Sequence, residues 1–125
     1  MKKLPALFIY AFLCLTIGFS CVHNDHNTSI SYSENHKYYS MKAYFSNSKM
    51  RAVEEYLDNK IGRTSNMSFM NARIDGTLAL DDHTTFYIKK SAGTLRIKLD
   101  KDKNSDHSYQ EIKSVCQGIK KVLAN

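Results

Sequence analysis

The stretch MNARIDGTLALDDHTTFYIKKSAGTLRIKL, Met70 to Leu99, decides the fold. Apolar side chains recur at every second position within it. Met70, Ala72, Ile74, Leu78 and Leu80 form one series, with Gly76 inside it; Phe86 and Ile88 form the next, and Leu95, Ile97 and Leu99 the last. A period of two describes strands with one face in the core. Pairing Leu80 with Phe86 and Leu78 with Ile88 leaves Asp82-His83-Thr84 as a three-residue loop. Pairing Ile88 with Leu95 and Phe86 with Ile97 leaves Lys90-Ser91-Ala92-Gly93 as the second loop. Both lengths suit hairpins. The expected product is a three-stranded meander with one apolar face, because a one-residue slip would turn every apolar side chain into water.

The flanking segments extend this unit on both sides. Tyr39, Met41, Ala43 and Phe45 alternate with Tyr38, Ser40, Lys42 and Tyr44, which predicts a strand beginning near Lys37. Ser46 or Ser48 then caps a helix whose apolar stripe is Met50, Val53, Leu57 and Ile61, with Gly62 placed for a left-handed end. Arg51, Glu54, Glu55, Asp58 and Lys60 are expected mostly towards water. A second helix is expected from Ser108 to Leu123, its start marked by the capping-box spacing of Ser108 and Glu111. Its stripe of Tyr109, Ile112, Cys116, Ile119 and Leu123 makes Cys116 a small core residue rather than a nucleophile. The order β-α-β-β-β-α predicts an α+β fold in two layers: a mainly antiparallel sheet with both helices packed on one face, over residues 37–125.

The other end of the chain carries an address. Lys2 and Lys3 precede an almost wholly apolar run from Leu4 to Phe19, and Gly18-Phe19-Ser20-Cys21 closes it with small residues. That layout is an export signal over residues 1–20. Ser20-Cys21 resembles the bacterial lipoprotein signal, although Gly18 stands where that signal usually has Leu, Val or Ile. The resemblance is confined to the first 21 residues and implies acylation of Cys21 and anchoring to the membrane. Gly18-Phe19-Ser20 also fits cleavage by ordinary signal peptidase, which would give a secreted soluble chain. In that alternative Cys21 is free to pair with Cys116 in a disulfide, since Cys14 leaves with the leader. Residues 21–36, polar and poor in apolar side chains, are expected to be a flexible tether, and its His23, Asp25, His26 and His36 read as solvated. Val22 after the cysteine gives no acidic inner-membrane retention signal, so an outer-membrane position facing the periplasm is the expected destination.

The charge balance bounds the partners. The chain has 18 Lys and Arg against 12 Asp and Glu, and loss of Lys2 and Lys3 with the leader lowers the formal charge from +6 to +4. This mild excess suits an acidic protein or an anionic envelope component. The helix–three strands–helix order is similar to that of double-stranded-RNA-binding domains, but His107-Ser108-Tyr109-Gln110 lacks the lysines needed to follow phosphates. Nucleic acid is excluded on that ground and by the export signal.

Two places carry candidate sites. The first is the sheet face opposite the helices, where the inferred register aligns Ala79, Tyr87 and Arg96, with Lys89, Lys98 and Arg73 around them. The second is the loop Asp100-Lys101-Asp102-Lys103-Asn104-Ser105-Asp106 with Glu111 beyond it. It resembles a calcium loop of the EF-hand type, with Asp100, Asp102, Asn104 and Glu111 on the matching spacing, and implies Ca²⁺ as ligand. Ser105 replaces the turn glycine, and Lys101 and Lys103 oppose a divalent ion. No other cofactor is expected. His83 and His107 stand near carboxylates, but neither makes a recognisable pair with a nucleophile. The sequence therefore predicts a small envelope lipoprotein serving as a binding module: an assembly component, inhibitor or immunity-type protein, with no recognisable catalytic machinery. The competing expectations are a secreted or periplasmic enzyme or calcium-binding protein using His83 or the Asp100–Glu111 loop, and a purely structural lipoprotein.

Overall fold

The computed structural model describes residues 28–124. The leader, Cys21 and the tether up to residue 27 lie outside the described residues, and so do their expected export, acylation or disulfide pairing. The elements are β1 (Ser29–Glu34), β2 (Tyr38–Tyr44), α1 (Met50–Leu57), β3 (Ile74–Ala79), β4 (Thr85–Ser91), β5 (Thr94–Asp100) and α2 (Asp106–Ala124). One antiparallel five-stranded sheet runs in the order β1-β2-β5-β4-β3, with the two helices on one face. The α+β architecture is thus the one read from the apolar periodicity, with one strand more.

The core fills the space between the layers. Tyr39, Met41 and Ala43 of β2, Phe86 and Ile88 of β4, and Leu95, Ile97 and Leu99 of β5 meet Val53 and Leu57 of α1 and Ile112, Cys116 and Ile119 of α2. Each such aliphatic side chain contributes about 1.5–3 kcal/mol when fully buried. Cys116 is a fully buried core residue without a disulfide partner among the described residues, and burial pushes its pKa up to about 12, which disfavours the thiolate.

The additional strand corrects the tether reading. Ser29 to Glu34 pairs antiparallel with Tyr44 to Tyr39, although its own side chains are mostly exposed. Composition conceals it because an edge strand is held by backbone hydrogen bonds and a few anchors. Here the Tyr32 hydroxyl donates to the Cys116 carbonyl at 3.2 Å, and Glu34 accepts from Lys101 at 2.6 Å and from the Tyr109 hydroxyl.

The hairpin registers differ from the expected ones by two residues. Leu78 faces Phe86 and Gly76 faces Ile88; Ile88 faces Ile97 and Lys90 faces Leu95. A shift of two preserves the face of every side chain, so the apolar surface stays in the core. Turn chemistry sets the difference. Leu80 N donates to Thr84 O at 2.8 Å, which makes the loop Asp81-Asp82-His83, with His83 left-handed at φ 71° in its last position. The second loop is Ala92-Gly93, with Gly93 at φ +73°. The three-residue loop puts its left-handed residue last, as such hairpin loops commonly do, and in the two-residue loop Gly93 supplies the positive φ at the second position.

Local details depart from the pattern in four further places. Met70 lies in a turn before β3, and the neighbouring Phe69 is the buried ring. The first helix does not stop at Gly62 but passes through a wider turn, Asp58–Gly62, to Ser65, and ends at Asn66 in the left-handed region (φ 56°). Asp58 Oδ1 accepts from Phe69 N at 2.6 Å, which turns the chain so that Phe69 enters the core. Ser105, not Ser108, caps α2: its Oγ accepts from Ser108 N at 3.0 Å. Glu54, expected in water, is buried against Lys90, expected in a loop.

Candidate functional site

The sheet face opposite the helices is built by the alternation that fills the core. Since Tyr39, Met41 and Ala43 point inward, Tyr38, Ser40, Lys42 and Tyr44 point outward. Likewise Arg96 and Lys98 are the exposed partners of Leu95, Ile97 and Leu99. The observed register fixes which of these residues are neighbours. Asp75, Lys89, Arg96 and Lys42 form one row across four strands, and Thr77, Tyr87, Lys98 and Ser40 form the next. With strands about 4.8 Å apart, three cations stand side by side over roughly 10 Å, and Lys98 adds a fourth one row away. Lys42, Lys89, Arg96 and Lys98 form no ion pair among the described residues.

Aromatic rings frame the charges. The Lys98 ammonium sits 4.3 Å from the centre of the Tyr38 ring, with Lys37 at 5.6 Å from the same ring. Tyr44, with Tyr32, is one of two exposed large hydrophobic residues among the described residues, 45% open to solvent. Tyr87 donates its hydroxyl to Asp75 Oδ1 at 2.7 Å, a bond that raises the pKa of the phenol and occupies the acidic end of the row. The other acid on this face, Asp100, accepts from Asp102 N at 2.9 Å. The face is therefore a positive strip with tyrosines at its borders, suited to acidic side chains or other anions.

The structure brings together most of the residues expected here and rearranges them. Tyr87 lies opposite Lys98, and Arg96 opposite Lys89, so Tyr87 and Arg96 are diagonal neighbours rather than a direct pair. Arg73 precedes β3 and belongs to neither row. Lys42, Tyr38 and Tyr44 were not visible as members. Their alternation identifies an outward face, but only the non-local pairing of β2 with β5 puts them beside Arg96.

The Asp100–Glu111 set is placed differently from its calcium-loop spacing. Asn104 is a clamp between strand and loop: Oδ1 accepts from Thr85 N at 2.9 Å, and Nδ2 donates to Thr85 O at 3.0 Å and Asp100 O at 2.8 Å. Glu111 leans instead towards the first hairpin loop. Its neighbours are Asp82 and His107, whose ligand-type atoms lie with its own within 4.8 Å of one another. Beneath them the buried Thr84 hydroxyl bonds Ser108 Oγ at 2.6 Å. Partial burial, and then the Asp82 carboxyl, raise the pKa of Glu111; Asp82 is lowered, chiefly by its hydrogen bonds with Thr84. His83 is exposed at the tip of the same loop. The helix spacing of His107 and Glu111 signals their shared face; the arrival of Asp82 depends on the hairpin register.

Among the described residues, no helix is long and apolar enough to cross a membrane. Comparison with protein-family models, with curated proteins and with solved structures finds no match to this chain.

Proposed function

We propose that this chain is a small exported cell-envelope lipoprotein whose domain binds an acidic partner, a protein or an anionic envelope component, through the open sheet face. The observation that carries the reading is the cross-strand row Lys89–Arg96–Lys42, three adjacent cations that form no ion pair among the described residues, on a tyrosine-bordered surface with Asp75 at one end of the row. An array of like charges in adjacent positions destabilises a sheet unless something opposes it, and cross-strand neighbours of the same sign are disfavoured. A bound acidic surface would offset that repulsion and be steered to the face by it. Export and anchoring are supported by the leader and the Ser20-Cys21 junction. Capture of partners from envelope extract by wild type and by Arg96→Glu tests the binding surface. Fractionation of Cys21→Ser tests the anchor: release from membranes supports it, and unchanged membrane association removes it.

A further inference from the structure

A groove of about 360 Å³ runs between the edge strand β1 and α2, with Tyr32, Tyr39, Glu34, Lys113, Gln117 and Lys120 among its walls. It lies on the helix-covered side of the sheet, away from the basic face, and its size falls within the roughly 300–1,000 Å³ of small-molecule sites. Tyr39 is 3% exposed, and its hydroxyl is buried without a hydrogen-bond partner among the described residues. Buried hydroxyls are nearly always partnered, so this one marks a place where an acceptor is missing. The neighbouring groups do not supply it. The Tyr32 hydroxyl is committed to the Cys116 carbonyl at 3.2 Å, and Glu34 Oε2 is shared by Lys101 and Tyr109.

We propose that this groove binds a carboxylate, with one oxygen accepting from the Tyr39 hydroxyl and the charge facing Lys113 and Lys120. The charges favour it. Lys101 offsets Glu34, Lys113 stands 3.5 Å from the other Glu34 oxygen, and Lys120 has no ion-pair partner among the described residues. The groove is left net positive. Burial, with the nearby Glu34 charge among the smaller contributions, holds the Tyr39 phenol far above its ordinary pKa, so it keeps the proton it would donate. The hydroxyl is covered in the free protein. Lys113, whose ammonium is 6.0 Å from the Tyr39 ring centre, is the long side chain that must swing aside and can follow the ligand.

Amide NMR of the isotope-labelled chain tests this with four probes: benzoate, benzamide, and the tripeptide Ala-Ala-Phe with a free or an amidated end. The expected result is saturable shifts at Ser33, Lys113 and Gln117 with the acids and none with the amides. Affinity should fall about tenfold or more in Tyr39→Phe and in Lys120→Gln, and stay unchanged in Arg96→Glu on the other face. The tighter of the two acids tells a small free acid from a chain terminus. Unliganded Tyr39→Phe should melt at or above the wild-type temperature, because it loses only an unpartnered hydroxyl. Absence of saturable shifts, equal shifts with the amides, full affinity in Tyr39→Phe, or a lower melting temperature for that variant would each overturn the proposal.

Discussion

Lys90 Nζ lies 2.6 Å from Glu54 Oε2, and the two residues are only 1% and 5% exposed. The pair bridges β4 and α1 inside an apolar core, so it fixes where the first helix sits on the sheet. Removing one partner leaves the other charge buried and unopposed, at a cost of about 3–5 kcal/mol. That is a large share of the roughly 5–15 kcal/mol that holds a domain together. Lys90→Met and Glu54→Leu should each lower the urea midpoint by that order. The double variant should recover much of the loss, because both charges then leave the core. A single variant as stable as the double would show that the pair is not buried in solution.

Tyr56 and Gly118 form a second contact of this kind, between the two helices. A Cβ on Gly118 would stand 1.9 Å from the Tyr56 hydroxyl, which donates to the Val115 carbonyl at 2.8 Å. Alanine favours a helix by about 1 kcal/mol over glycine, so propensity alone predicts a more stable Gly118→Ala. The steric conflict reverses the sign: Tyr56 must leave, and overpacking costs about 1–3 kcal/mol. Combining Gly118→Ala with Tyr56→Leu should remove the clash and give a loss smaller than the sum of the single losses. Additive losses, or a Gly118→Ala protein with a raised melting temperature, would contradict the packing.

These contacts show where sequence reading stops. The faces of Leu95, Ile97 and Leu99 were legible because parity along a strand is a local property. The hairpin registers were not, since they go with which loop residue takes the left-handed conformation: His83 between β3 and β4, and Gly93 between β4 and β5. Glu54 and Lys90 each read as surface charges; only the fold puts them together across 36 residues. The exposed side of Arg96 followed from alternation, whereas its neighbour Lys42 required the pairing of β2 with β5. Ser29 to Glu34 resembled a linker because its attachment depends on backbone bonds and on Glu34, not on an apolar face.

Acid should loosen that edge strand. Hydrogen bonds from Lys101 and then Tyr109 lower the Glu34 pKa from 4.5 to about 2. With the folded value below the unfolded one, the contribution is complete above about pH 4.5 and is lost as pH falls through about 2. Amide resonances of Ser33 and Tyr109 should therefore move together across that window before the domain unfolds. In Glu34→Gln the two resonances should lack the transition, and β1 should exchange faster at neutral pH. Unaltered titration in the variant would assign the transition to another group.

Glu111 runs in the opposite direction. Its pKa is raised, first by partial burial and then by Asp82, so its ionised form is held less well in the folded than in the unfolded chain. The stability it contributes is present at low pH and is lost as pH rises through the folded value. Glu111→Gln keeps an oxygen for the Thr84 hydroxyl and removes the repulsion from Asp82. It should melt higher than wild type at neutral pH, with the advantage shrinking as the solution is acidified. A variant less stable than wild type at neutral pH would mean that the attraction of His107 outweighs both effects.

The open sheet face gives the most direct test of the proposed activity. Arg96 stands between Lys89 and Lys42 in the register, so a glutamate there reverses the centre of the positive strip. Its side chain is exposed, and substitutions at such positions change stability by no more than about 0.5 kcal/mol. Replacing a cation flanked by two others by an anion should even relieve like-charge repulsion within the row. Loss of partner capture by Arg96→Glu would therefore report on binding and not on folding. Lys60→Glu, a reversal on the helical side, is the control for net charge. If the partner is acidic and docks on this face, Arg96→Glu should abolish capture and Lys60→Glu should leave it nearly intact. Raising the salt concentration should slow association with wild type and have less effect on whatever binding Arg96→Glu retains. Tyr87→Ala should weaken capture without removing the salt dependence, because it takes away contact area and not charge. Equal capture by wild type, Arg96→Glu and Tyr87→Ala would reject the face as the binding surface.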